Sequence, residues 1–191
     1  MYACIYTNTY LNTRAHARAH TRTRTHTFYI AEASRGGWVF TAASPDPVVG
    51  AKDLREVYDA LTGGFRGRCT APLLVDKVQK KVVSNESADL MRMLNQITPG
   101  ARGKAIDLCP PDKAQDIEAL NDWIYNDVNN GVYKCGFATS QAAYDRASKA
   151  VSAGLDRLES ILCNSRFLLG GRLTEADLRL FPTILRWALG F

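Results

Sequence analysis

The sequence predicts an incomplete α/β unit followed by an all-helical domain. Three observations support this. Between Ala51 and Ile97 a helix-periodic stretch, two short apolar runs and a second helix-periodic stretch succeed one another. A segment rich in proline and glycine, 99–111, comes next, and the apolar patterns beyond it repeat at helical spacing. The expected organisation is a disordered low-complexity tail over 1–30, a partial α/β domain over 31–98, a linker over 99–111 and an all-helical domain over 112–191.

Each element has a local reason. Leu54, Val57, Tyr58 and Leu61 recur at i, i+3, i+4 and i+7, the spacing of one helix face, and Gly63-Gly64 stops the run. Leu73-Leu74-Val75 and Lys81-Val82-Val83 are short apolar runs across a polar turn and read as a hairpin. Leu90, Met91, Leu94 and Ile97 form the stripe of a second helix, with Ser84 or Asn85 as a candidate cap. Helix, hairpin, helix is the order of the second half of a thioredoxin-like domain. In the second domain, Ile117, Leu120, Ile124 and Val128 give one helical face. Tyr144, Ala147, Val151, Leu155, Leu158 and Leu162 give a longer one, for which Thr139 is a candidate N-cap. Thr174-Glu175-Ala176-Asp177 is a capping-box variant with Leu173 and Leu178 at the staple positions. The helix it starts should be buried to at least Phe181 and bent or loosened at Pro182, which has no N–H to donate.

Composition narrows the function. The chain is 46% hydrophobic and 23% charged, as ordinary globular proteins are. No run approaches the ~20 apolar residues that span a bilayer, and no apolar stretch marks a secretory signal. A cytoplasmic or organelle-stromal protein that does not enter membranes is expected. The formal charge of +5 belongs to the tail: residues 1–30 hold four arginines and no acid, and the rest of the chain has 20 basic against 19 acidic side chains. Nucleic-acid binding needs a basic cluster on a folded face, so nucleic acid is not an expected partner. Five cysteines without a CxxC pair suit reduced thiols rather than a disulfide framework.

From Thr13 to Thr27 odd positions are Thr or Ala and even positions Arg or His. Such a run can be a translated (A/G)C dinucleotide repeat, and neither face of a strand built from it carries apolar groups. Disorder is expected. His16, His20 and His26 are then repeat-encoded residues rather than a metal site, which needs fixed ligand geometry.

Several motifs, spread in order from about Ala31 to Arg186, resemble the glutathionyl-hydroquinone reductases, the xi-class, omega-like glutathione transferases. They are Gly-Gly-Trp-Val-Phe (36–40), Gly67-Arg68-Cys69-Thr70-Ala71-Pro72, Ser84-Asn85-Glu86-Ser87, Asn130-Gly131-Val132-Tyr133-Lys134 and Leu173-Thr174-Glu175-Ala176-Asp177. The resemblance implies a glutathione-transferase helical domain after the α/β part, with glutathione as co-substrate and quinone-type small molecules as partners. A homodimer is a further candidate assembly. It also implies a cis bond before Pro72, which lets the backbone of Ala71 pair with the cysteinyl unit of glutathione like an added strand. Glu86 and Ser87, at a helix start, would hold the γ-glutamyl amine and carboxylate. Trp38 would wall the site, and Tyr133 would meet the phenolic oxygen of the quinone. Each residue also has a plainer reading: a proline opening an edge strand, ordinary capping, core packing, and a tyrosine half-buried between helices.

The reaction implied is thiol–disulfide exchange through a thiolate at a helix N-terminus, where the dipole lowers its pKa. The family signature there resembles Tyr-Ala-Cys-Pro-Trp-Ala. This chain has Tyr2-Ala3-Cys4 and then Ile5, followed by the repeat. Cys4 is the candidate nucleophile, without the helix that should present it. The expected strand at Leu73–Val75 also loses its parallel neighbour, which exposes a sheet edge prone to aggregation. The chain reads as a family member truncated at both ends. An inactive glutathione-binding or dimerisation remnant is the alternative.

Overall fold

The structure is a computed structural model that describes residues 3–7, 24–27, 29–30, 38–97 and 107–188. The chain divides into two compact units, Met1–Ala105 and Ile106–Phe191. The first is an α/β unit and the second is built of helices. Among the described residues no helix is long and apolar enough to cross a membrane.

The strands of the first unit are β1 (Ala3–Thr7), β2 (Arg24–Thr27), β3 (Tyr29–Ile30), β4 (Trp38–Val39), β5 (Leu73–Asp76) and β6 (Lys81–Ser84); its helices are α1 (Leu54–Thr62) and α2 (Ser87–Ile97). One sheet has the order β2-β1-β5-β6, and β3 pairs with β4 in a second. β1 runs parallel to β2 and antiparallel to β5, and β5 runs antiparallel to β6.

Two expectations are corrected here. Segments 3–7 and 24–27 are strands, not a disordered tail, and β5 is not a sheet edge: among the described residues it has no parallel neighbour, but antiparallel strands flank it on both sides. Sheet pairing uses backbone N–H and C=O groups, which every non-proline residue carries. Ile5, Tyr6 and the alternate threonines also favour extended backbone. The polar alternation that forbids a buried strand is compatible with β2 at a sheet edge. The rest of the repeat, His16 and His20 included, lies outside the described residues.

α1 has the apolar face and the glycine stop that its sequence suggests, and the structure adds an N-cap. Asp53 caps it, its carboxylate accepting from Glu56 N–H at 2.8 Å, and Gly63 ends it with φ 72°, in the left-handed region that glycine enters without a Cβ penalty. Leu54, Val57 and Tyr58 pack on Leu73 and Val75 of β5. Leu74, on the other face of that strand, packs on Leu90 of α2. The period of two thus places β5 between the two helices. Leu94 is 40% exposed, so the buried stripe of α2 is shorter than its spacing suggests.

In the second unit a 3₁₀ turn leads into α3 (Ala114–Trp123), a π-helical segment over Ile124–Asn129, α4 (Asn130–Gly136), α5 (Gln141–Leu162) and α6 (Glu175–Ala188). Leu120, Ile124, Val128, Leu158, Leu168, Ala176 and Leu180 form its core. Ser140, not Thr139, caps α5, its hydroxyl accepting from Ala143 N–H. Both ends of the α5 stripe, Tyr144 and Leu162, are exposed, as is Phe181 on α6. The apolar rows run past the helices that cover their middles. Glycines permit the close crossing: a Cβ on Gly131 would lie 2.6 Å from Val151 Cγ2, and one on Gly154 2.8 Å from Val128 Cγ2.

The capping box is a three-bond device. Asp177 accepts from Thr174 N–H (2.9 Å) and Thr174 Oγ1 (3.0 Å) with one oxygen, and from Leu168 N–H (2.8 Å) with the other. Beside it, Glu175 is 1% exposed, accepts from Asn121 Nδ2 at 3.1 Å and faces Arg179 at 3.8 Å.

Candidate functional site

The loop from Gly67 to Pro72 is held from both sides. Arg55, on α1, donates to the carbonyl of Gly67 at 2.9 Å and to Cys69 Sγ at 3.6 Å, and pairs with Asp59 at 3.6 Å. The hydrogen bond to Cys69, then the electrostatic interaction with that sulfur, holds the Arg55 guanidinium above its ordinary value. The Tyr58 hydroxyl, reaching out of the core, donates to the Thr70 carbonyl at 2.8 Å. The Ala71–Pro72 peptide is cis. Ala71 and Pro72 are half-buried and lead directly into β5.

The hairpin returns the chain to the same corner. Ser84 of β6 stands opposite Leu74, and Asn85 Nδ2 donates to Thr70 Oγ1 at 3.3 Å, joining the start of α2 to the loop. The Ser84 hydroxyl accepts from Glu86 N–H at 3.1 Å, and the Glu86 carbonyl accepts from Leu90 N–H at 3.0 Å. Glu86 therefore precedes the first helical residue, Ser87, and both are exposed. An exposed carboxylate, a hydroxyl and first-turn amides beside an irregular loop can bind a group carrying both an amine and a carboxylate.

The other expected residues lie elsewhere. The backbone of Trp38 pairs with Ile30 in β4; its side chain is outside the described residues. Cys4 lies in β1, paired with Val75 and Arg24. It is thus in a strand rather than on a disordered tail, and the residue is not at the start of a helix. Tyr133 belongs to the second unit, where it is 55% exposed and stacked on Phe137 with centroids 6.4 Å apart. Sequence reasoning missed Arg55, Tyr58 and Asn85 as the residues that hold the loop. Tyr58 reads as core from its spacing, and its hydroxyl was the one available signal that it also needs a polar partner.

Residues 141–189 match the family model described as glutathione S-transferase, C-terminal domain. The chain is 45% identical over 155 residues to the glutathionyl-hydroquinone reductase YqjG of Escherichia coli, covering 79% of this chain and 47% of that protein. The glutathione-bound structure of YqjG superposes with a TM-score of 0.79 at 41% identity, over 86% of this chain and 55% of that one. Glutathione transferase Xi 1 from Trametes versicolor gives a TM-score of 0.82 at 33% identity, and here the match covers 97% of this chain and 69% of the other. The chain belongs to the xi-class glutathione transferases. It spans about half the length of the curated relatives it matches. Within the xi class, the helical domain is carried by the stretch that holds the Asp177 box and α5.

Proposed function

We propose that this xi-class chain binds glutathione at the corner of Ala71, Pro72, Glu86 and Ser87, and that its chemistry is the reduction of glutathionyl-hydroquinones. The observation that carries the reading is the Asn85–Thr70 hydrogen bond, which holds the helix start against the cis-proline loop. The Ala71 backbone would pair with the cysteinyl unit, Glu86 and Ser87 would hold the γ-glutamyl group, Trp38 would wall the site and Tyr133 would meet the quinone oxygen. In the reaction a cysteine thiolate attacks the glutathionyl sulfur, and the hydroquinone carbon takes a proton as its bond to that sulfur breaks. The two sulfurs are left as a protein–glutathione disulfide. A second glutathione attacks that disulfide, leaving glutathione disulfide and the free thiolate. Among the described residues Cys69, Cys135 and Cys163 form no disulfide, which fits a reducing compartment such as the cytoplasm.

A second reading, a glutathione-binding or dimerising module without turnover, is favoured by the position of Cys4. Cys4 lies within a strand and not at the start of a helix, the position where a dipole favours the thiolate. Mass spectrometry of the chain with glutathionyl-menadiol separates the two. Loss of the glutathionyl group that disappears in Cys4→Ser establishes turnover through that thiol, and an unchanged substrate leaves the module. Retention on immobilised glutathione, lost in Glu86→Ala, is expected under both. Retention that survives Glu86→Ala contradicts the proposed corner.

A further inference from the structure

The helical run from Ala114 to Gly136 is interrupted by the π segment at Ile124–Asn129, and this changes which residues share a face. An α-helix turns ~100° per residue, so residues eight apart differ by ~80° in direction. A π turn, closed by i→i+5 bonds, holds roughly 4.4 residues at ~82° each. From Tyr125 to Tyr133 four steps fall in the π segment and four in α4, and the two directions then differ by only ~10°. A contact across the same spacing supports the alignment: Lys134 Nζ donates to the Asn126 carbonyl at 3.2 Å. Tyr125, Tyr133 and Phe137 thus lie along one side of the run. They are 57%, 55% and 80% exposed, while Ile124 and Val128 stay in the core. The rings of Tyr133 and Phe137 are 11° from parallel. Phe137 also walls an open groove of about 520 Å³ with Lys134 and Arg146.

We infer that Tyr125 is a second ring contact for the aromatic half of the substrate, on a ridge with Tyr133 and Phe137 that binds a planar quinone or hydroquinone. The inference rests on the proposed function, which supplies the substrate class. Aligned exposed rings offer π faces to a flat ligand, and the tyrosine hydroxyls and Lys134 can donate to quinone oxygens. The π segment is the part that recruits Tyr125; in an uninterrupted α-helix that ring would point well away from Tyr133.

The test titrates 2,3-dimethyl-1,4-naphthoquinone, whose blocked ring positions cannot add thiols, and separately glutathione, into the full chain and its variants. Tyr125→Ala is expected to weaken quinone binding roughly 2- to 12-fold, the loss of one ring–ring contact, with glutathione binding unchanged. Tyr125→Phe should keep quinone affinity within about twofold, since the ring remains. Circular dichroism checks that both variants stay folded. Unchanged quinone affinity in Tyr125→Ala, or no quinone binding by the parent chain, overturns the inference. Quinone binding through the ridge without any glutathione binding would instead remove the glutathione site and leave the ridge standing.

Discussion

Replacing Asp177 by alanine should unfold the helical unit at markedly lower denaturant. Its carboxylate accepts three hydrogen bonds, two from Thr174 and one from the Leu168 amide, at 2.8–3.0 Å. Loss of a cap costs about 0.5–2 kcal/mol. Leaving a further buried N–H without an acceptor costs about 1–3 kcal/mol. Leu168 is 5% exposed, so its amide has little access to replacement water. The two terms together come to roughly 1.5–5 kcal/mol, and they differ in what Asp177→Asn should do. Asparagine keeps one carbonyl oxygen and can serve either Thr174 or Leu168, so its loss should be about half as large. Urea unfolding followed by far-ultraviolet circular dichroism reads mainly helix, hence mainly the second unit. With two compact units the transition is fitted with a separate step for each. A change below ~0.5 kcal/mol in Asp177→Ala would show that the box is ornamental.

Three further outcomes follow from the same geometry. Gly154→Ala should destabilise the helical unit by ~1–3 kcal/mol, because the new methyl meets Val128 Cγ2 at 2.8 Å; the double variant with Val128→Ala should recover part of this in the same urea titration, and additive losses would contradict the clash. Glu175→Ala should cost ~2–4 kcal/mol by stranding the Asn121 amide and the Arg179 charge, whereas Glu175→Gln, which keeps an acceptor for Asn121, should cost less. Arg55→Ala should speed tryptic cleavage at the exposed Arg66 and Arg68, since the loop loses its tie at Gly67 and Cys69; an unchanged cleavage rate would mean that Arg55 does not hold the loop.

The parts of the fold legible in the sequence are those written in local chemistry. Gly63 ends α1, the apolar run Leu73-Leu74-Val75 makes a strand buried on both faces, and Thr174 with Asp177 starts α6. What escaped has no local signature. The spacing of Ile117, Leu120, Ile124 and Val128 satisfies an α-helix and a π segment equally, because three- and four-residue steps keep both cores covered. Thr139 and Ser140 are neighbouring hydroxyl residues of similar capping power, and the choice between them depends on where the turn from α4 delivers the chain. β1 is set by backbone bonds to β5, about 70 residues away, and β2 by its bonds to β1, where side-chain patterning says little. Asp46 was missed for a related reason: its carboxylate gathers the amides of Val48, Val49 and Ala51 in an irregular loop without period. At the candidate site the proline bond and the helix start followed from the motif, while the residues that tie them together sit on α1 and in the turn before α2.

The most direct test of the central claim is a titration of glutathione into the ¹⁵N-labelled chain, followed amide by amide. The largest saturating shifts are expected at Ala71, Glu86 and Ser87, with the Asn121 and Glu175 amides, in the other unit, unmoved. Shifts confined to other residues, or none at all at millimolar glutathione, would contradict it.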